Sequence, residues 1–561
     1  MATSVKTIQL EISGMTCDHC ARSIEKMLSG VNGVIEKSIS YPESGGQVRF
    51  DSSKVSPEDI KNAIDSSGHY KVEKVLEPMV PASSSSDSSG SYDFDLIIIG
   101  GGSAAFSAAN TAGELGKKTL MINGDLPIGG TCVNVGCVPS KYLIRVAESV
   151  YRAEHAPFRG LTLSRPGIRF SEIIAEKKEL VELLRDKKYL SVASQIPGLT
   201  LEQGIARLKD AHHVEANGKI RSAHKIIIAT GAKTFVPPIK GLRESGYLTN
   251  RSLFELKEKP ESLTILGAGY IGLEIAQTFS RFGSKVRIIE FTDRPLRSQT
   301  PDISAEIRKY LEKEGIEFFP NYRIDEIVKE GDQALLLKGI NRANGEAFVM
   351  KESGNIVLAT GLAPNTEGIG LEEVGVERDA RGFIIVDAGM HSSAEGIYAA
   401  GDCANTPAFV YTAAKEGKIA TLNALENGDE KIDYSALPWV VFTDPQVAGA
   451  GMDEQEAETA GIPYEVSVLP LSEVPRAQAA RDARGFIKLI RNKNSNLLIG
   501  ARIVAPEGGE LAMQASLAIK YRIPVNDLAE DFFPYLTLSE GIKLAAITFE
   551  KDVSQLSCCA S

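Results

Sequence analysis

A chain of 561 residues that is 43% hydrophobic is longer than one hydrophobic core usually supports, so several domains are expected. Its net charge of -11, with no local run of Lys or Arg, leaves nothing to neutralise a phosphate backbone, which argues against nucleic acid as a partner. Apolar runs such as 96–99 and 225–229 are too short for membrane insertion, and the opening MATSVKTIQLEISG has no long apolar stretch, so a cytoplasmic protein is expected.

Residues 1–77 alternate strand-like patterns near 7–12, 34–39, 47–50 and 70–75 with helix-like patterns over 18–28 and 57–65. That order predicts a compact βαββαβ domain of the ferredoxin-like kind. Cys17 and Cys20 stand in Gly14-Met15-Thr16-Cys17-Asp18-His19-Cys20, the loop entering the first helix. Residues 78–91, rich in Pro and Ser, have nothing to bury and predict a flexible tether.

From Tyr92, the run FDLIIIGGGSAAFSAANTAGELG reads as a strand, a Gly turn and a helix, and LTILGAGYIGLEIAQTFSRFG repeats the pattern from Leu263. Gly100 and Gly102, followed by Ala105, and then Gly267, Gly269 and Gly272 permit tight turns that let a pyrophosphate approach the start of a helix. Two dinucleotides are implied, on an α/β fold with two Rossmann-like units. The predicted domains are 92–245 and 246–365, a return to the first unit over 366–432, and an α+β interface domain over 433–561 that has no Gly-rich loop and ends in SCCAS.

Where an acid usually bonds the ribose at the end of the second strand, the first unit has Asn123, with Asp125 just beyond, and the second has Glu290. Glu290 suits a free 2'-hydroxyl, while Arg294 and Arg297 stand close enough to offer charge to a 2'-phosphate, so NADH and NADPH both remain open. Of seven cysteines, six fall in close pairs: Cys17 with Cys20, Cys132 with Cys137, and Cys558 with Cys559. Close pairs in a large chain point to redox or metal chemistry rather than to a disulfide scaffold. In GGTCVNVGCVPSK, Cys132 and Cys137 lie at the mouth of a predicted helix, where the dipole favours a reactive thiolate.

These motifs, with IIIATGA (226–232), VLATGLAPNT (357–366), GIYAAGDC (396–403) and WVVFTDPQVAGAGM (439–452), resemble those of the flavin disulfide reductases from Tyr92 to the C-terminus. The resemblance implies FAD and NAD(P)H as cofactors and a homodimer. Carried over position by position, it makes Cys137 the thiol nearest the flavin and Cys132 the outer, interchange thiol. Lys141 and Glu274 would pair beside the flavin's redox-active nitrogen, Asp402 would bond the ribitol, and Tyr270 would gate the nicotinamide pocket. Gly130, Thr131 and Gly231, inside the matching motifs, would line the cofactor.

Disulfide-reducing members of this family carry a His-Pro motif near the C-terminus, the His protonating a leaving thiolate. Here Tyr535 stands at that position in 533–540, and no histidine follows His391. A substrate that needs no proton on a leaving sulfur fits better. The tail pair Cys558 and Cys559 offers soft donors to a thiophilic metal, and Cys17 with Cys20 resembles the GMTCxxC motif of heavy-metal-associated domains, giving linear two-sulfur coordination. Together these features are similar to those of the mercury-reducing branch of the family. That similarity implies Hg(II), arriving as a thiol complex, as substrate and Tyr189 and Tyr535 beside the inner metal site. It also implies a relay from Cys17 and Cys20 to Cys558 and Cys559, and on to Cys132 and Cys137 of the partner subunit. A thioredoxin-reductase-like enzyme and a Cu(I) metallochaperone are the rival readings.

Overall fold

The structure, a computed structural model, describes residues 5–15, 18–41, 45–67, 69–76, 92–155, 157–331, 334–426 and 428–552. The chain divides into two compact units, Met1–Ser91 and Tyr92–Ser561. The tether expected at 78–91 and the tail thiols Cys558 and Cys559 lie outside the described residues, as does Cys17.

In the first unit, β1 (Val5–Ser13), α1 (Asp18–Leu28), β2 (Val34–Ser40), β3 (Gly45–Asp51), α2 (Pro57–Asp65) and β4 (Lys71–Leu76) follow one another. The strands form an antiparallel sheet in the order β2-β3-β1-β4. Alternation in β1 sends Ile8, Leu10 and Ile12 to one face, where they meet Ile24 and Leu28 of α1 and Ile60 and Ile64 of α2. Ser56 starts α2 with a reciprocal capping box to Asp59, and Pro57 fills the first helical position.

The second unit opens with β5 (Phe94–Ile99), α3 (Ser103–Glu114) and β6 (Thr119–Asn123). β5 lies inside its sheet, paired in parallel with β6 and with Lys219–Ile228, and both its faces are covered: Leu96 and Ile98 pack with α3, Ile97 and Ile99 with Leu371 and Ile384, which explains a run with no polar alternation. Ile397–Ala399 returns to the same sheet beside Lys219–Ile228, so the chain leaves this sheet and comes back to it. Between these passages a second parallel sheet runs in the order Glu317–Phe319, Lys285–Ile289, Ser262–Leu266, Asn355–Leu358. The last part is a five-stranded antiparallel sheet, Trp439–Val441, Gln446–Gly451, Leu498–Ala505, Phe486–Asn492 and Tyr464–Pro470, with the helices Gly508–Lys520 and Glu540–Ile547. The fold class is the expected one.

The helix Tyr270–Phe282 fastens this last sheet to the dinucleotide units. Gln277 donates from Nε2 to the Asp444 carbonyl at 2.8 Å and accepts the Asp444 amide at 2.7 Å. One turn on, buried Arg281 pairs with Glu314 at 2.8 Å and with Asp444 at 3.0 Å. A buried guanidinium is tolerated because each exposed face of its charge meets a carboxylate.

Candidate redox and dinucleotide site

The first Gly-rich turn and the cysteine loop touch backbone to backbone. The Gly129 amide donates to the Gly101 carbonyl at 2.8 Å, and a Cβ on Gly130, whose φ is +64°, would stand 2.7 Å from the Gly102 Cα. Only glycine fits there, and this close approach sets the cysteine loop at the rim of the turn that opens α3. One helix was expected to start at the cysteine pair; the structure has two. Cys132 lies within α4 (Gly130–Asn134), and Cys137 is the first residue of α5 (Cys137–Glu154). The break at Val135 and Gly136 is braced by Asn134, whose Nδ2 donates to the carbonyls of Pro127 (2.9 Å) and Gly130 (2.8 Å).

Both thiols are free, Cys132 partly buried and Cys137 exposed. The Cys132 thiol donates to Cys137 and lowers it to about 7, helped by the charge of Lys141 one turn along the helix and by the free amide at the helix start. Cys132 is pushed up by that same bond, by burial and by the anion beside it. The pair is therefore asymmetric, with one thiolate and one thiol near neutral pH.

Lys141 reaches across to the helix Tyr270–Phe282 of the second Gly-rich repeat. Its Nζ lies 2.7 Å from Glu274 Oε2 and 4.3 Å from the centre of the Phe442 ring, and the other Glu274 oxygen accepts the Phe442 amide at 2.9 Å. Residues from three parts of the sequence thus hold one cation a helical turn from Cys137. On the other side of the pair, Tyr189 sits in a π-helical turn, Asp186–Leu190, its ring edge-on to Phe106 at 4.9 Å. Burial, then the charge of Cys132, raises its hydroxyl, so it remains a phenol. A groove of about 390 Å³ runs from Tyr189 along the outer face of α3 past Ser103, Ser107 and Asn110, with Lys188 and Lys418 on its walls.

The remaining candidates divide. Tyr270, first residue of its helix, packs against Trp439 at 5.8 Å and Phe409 at 6.5 Å. Gly269, just before it, has open space where a Cβ would point, while Gly267 and Gly272 are closed in by backbone, so the turn presents a shallow cradle. Gly100 lies hard against the Ala229 carbonyl, Ala105 is buried within α3, Thr131 is exposed, and Gly231 has no neighbour where its Cβ would point. Asn123 donates both its amide hydrogens inside the protein, to Leu126 O and Gln203 Oε1, each at 2.9 Å. Glu290 is likewise engaged: it accepts the Ala268 amide at 2.6 Å and the amide and hydroxyl of Thr292 at 2.7 and 2.8 Å. Arg294 and Arg297 both pair with Asp293, at 3.1 Å each. Tyr535 is half exposed on the loop before Glu540–Ile547, and Cys20 lies in the first turn of α1.

Sequence reasoning did not find Phe442 and Glu416, because neither belongs to a motif that predicts its contacts. Glu416 is fully buried, accepting the Gly401 amide at 2.7 Å and the Tyr434 hydroxyl at 2.6 Å. Beside it Asp402 takes no hydrogen bond from any described residue, although burial, then the Glu416 charge, pushes its carboxyl up to about 6. An acid so placed has acceptor capacity for hydroxyl groups, which fits the polyol of FAD, as the glycine turn at 100–102 fits its pyrophosphate.

Comparison with known proteins decides the lineage. Residues 94–417 match the model of the pyridine nucleotide-disulphide oxidoreductases, 437–546 that family's dimerisation domain, and 9–70 the heavy-metal-associated domain. Over its whole length the chain is 37% identical to a mercuric reductase of Bacillus cereus, covering 99% of this chain and 87% of that one. It is 38% identical to the mercuric reductase of Lysinibacillus sphaericus, over 98% and 99% of the two chains. The chain belongs to the pyridine nucleotide-disulphide oxidoreductases, in the mercuric reductase branch. Within that larger family, the Cu(II) complex of the HOCl-induced flavoprotein disulfide reductase RclA from Escherichia coli superposes with a TM-score of 0.71 at 28% identity, over 80% of this chain and 98% of that one. As in the family model, a dimerisation domain closes the chain, and among the described residues no helix is long and apolar enough to cross a membrane.

Proposed function

We propose that this protein reduces thiol-bound Hg(II) to Hg(0) with electrons from NAD(P)H, as a cytoplasmic homodimer. The observation that carries the reading is the free pair Cys132 and Cys137 with the Lys141–Glu274 ion pair one helical turn from Cys137, in a sequence that has no histidine after His391. Residues Gly100, Gly102, Gly130, Gly231 and Asp402 would hold FAD, and Gly267, Gly269 and Gly272 would hold the nicotinamide dinucleotide. FAD, when bound, supplies the two-electron relay between nicotinamide and thiols.

The protein's own part is to receive, hold and release the metal. Cys137, the thiol that ionises first, attacks as its thiolate and displaces one thiolate ligand of Hg(II) into solution; Cys132 then displaces the second, its proton leaving on the departing sulfur as a thiol, so that the metal is held between two soft donors. Two electrons then convert Hg(II) to Hg(0), which has no affinity for thiolate and departs. Neither exchange needs an acid to protonate a sulfur fixed to the protein, which agrees with Tyr535 where disulfide reductases have a histidine. Lys141, held by Glu274, supplies positive charge where negative charge develops on reduction. Cys17 with Cys20, and Cys558 with Cys559 from the partner subunit, would deliver the metal, and Tyr535 would meet Tyr189 across the dimer.

The test is NAD(P)H oxidation by the FAD-loaded protein in excess thiol, with and without Hg(II), and separately with oxidised thioredoxin. Stimulation by Hg(II) alone is expected; activity with thioredoxin and none with Hg(II) would sink the reading. Truncation after Ser557 should abolish turnover of thiol-bound Hg(II), whereas deletion of residues 1–91 should leave it largely intact.

A further inference from the structure

The reading of 100–102 and Asp402 as a flavin site leaves one buried charge without a role. Glu416, on the helix Val410–Glu426, is fully buried and makes no ion pair among the described residues. Its oxygens are spent on the Gly401 amide and the Tyr434 hydroxyl, the first one residue from Asp402 and the second three residues before the match to the dimerisation domain begins at 437. A buried carboxylate with no ion pair is costly, and it is the one charged side chain on a buried helix face whose other polar members are the neutral Thr412, Thr421 and Asn423. The helix lies close against the start of α3: a Cβ on Gly417 would stand 2.2 Å from the Ala104 carbonyl, and one on Gly401 3.3 Å from the Ala104 Cβ.

We infer that Glu416 is a positioning residue of the flavin site, fixing the Gly401–Asp402 turn against α3 and tuning by its charge how tightly the Asp402 carboxyl holds the flavin's polyol. The inference rests on the assignment of that turn to FAD. Among the described residues the charge that acts on Asp402 is Glu416; the Cys403 thiol next in sequence is raised by burial to about 11 and stays neutral, and Ala104 in the first turn of α3 packs on the neighbouring Gly401. Tyr434 donates to Glu416 and is itself pushed up, so it adds no charge. Burial does most to raise the Asp402 carboxyl and the Glu416 charge adds to it, so that Asp402 keeps its proton into mild acid. Ionised Asp402 is the stronger acceptor for a polyol hydroxyl, so FAD should bind more tightly as the pH rises through that proton's loss.

The experiment is FAD dissociation from full-length holoenzyme, followed by the return of free-flavin fluorescence from about pH 5 to about pH 8, for the parent, Glu416→Gln and Asp402→Asn. Glutamine keeps an acceptor for the Gly401 amide and a polar partner for Tyr434 but removes the charge. The parent should show a midpoint near 6, Asp402→Asn none, and Glu416→Gln a midpoint lower by about one unit or more. An unmoved midpoint in Glu416→Gln, or a pH-independent weakening of FAD, would reduce Glu416 to a structural brace and overturn the inference. Persistence of the midpoint in Asp402→Asn would remove Asp402 as the responding group and overturn it equally. Neither readout involves Hg(II), so failure here is separable from failure of the proposed activity.

Discussion

The two Gly-rich turns have nearly the same sequence pattern and opposite surroundings. At 100–102 the turn is pressed against the cysteine loop, with Gly130 on Gly102, so the first dinucleotide unit is built into the redox pair. At 267–272 the turn is closed by its own backbone and by Glu290, and what the second unit contributes to the redox centre comes from one helical turn further on, where Glu274 holds Lys141. Even the polar residues that end the second strands differ in use. Asn123 serves a neighbouring carbonyl and Gln203, whereas Glu290 ties down Ala268 inside the turn it follows. A repeated motif thus fixes where a phosphate can sit, and the residues outside it decide whether that site meets the chemistry.

That contrast can be broken at graded cost. Cys132→Ala or Cys137→Ala should lower turnover of thiol-bound Hg(II) by on the order of 1000-fold or more, since the pair acts as a unit; steady-state NAD(P)H oxidation measures it. Next, Lys141→Met should slow kcat by about 100-fold, the scale of losing one preorganised charge at a reacting centre, with flavin reduction in stopped flow as the readout. If Glu274 only braces the second unit, Glu274→Gln will leave that step unchanged, and the link between the units drawn above is wrong. Glu290→Ala, which loses charge-assisted bonds to Ala268 and Thr292, should raise KM for the nicotinamide about 10-fold with little change in kcat. The gentlest probe is pH. Alkylation of Cys137 in the reduced protein should rise as pH climbs through about 7, because the thiolate reacts and its fraction grows above the midpoint. In Lys141→Met that midpoint should move upward by less than about one unit.

Much of this architecture was legible beforehand because it depends on local rules. The βαββαβ order, the strand–turn–helix repeats and the helix start at Cys137 follow from periodicity, capping and glycine placement. Asn123 and Glu290 were read as ribose ligands from their strand-end positions; the structure adds that both amide hydrogens of Asn123 go to protein acceptors and that Glu290 accepts from Ala268 and Thr292, contacts which strand position cannot reveal. The single helix expected at the cysteine loop became two because Asn134 gathers carbonyls from the preceding turn, a side-chain contact with no periodic signature.

The sequence by itself determined the fold class, the two strand–turn–helix repeats with their Gly-rich turns and the close spacing of Cys132 and Cys137, since each rests on residues within a few positions of one another. The Lys141–Glu274 pair and the place of Tyr189 were expected from the family resemblance; only the tertiary structure decided that Phe442 completes the hold on Lys141 and that buried Glu416 bonds the Gly401 amide beside Asp402. Those contacts join residues far apart in the chain, 133 positions for Lys141 and Glu274 and 168 for Glu274 and Phe442. Their energy comes from burial and charge at close range, which chain order does not encode.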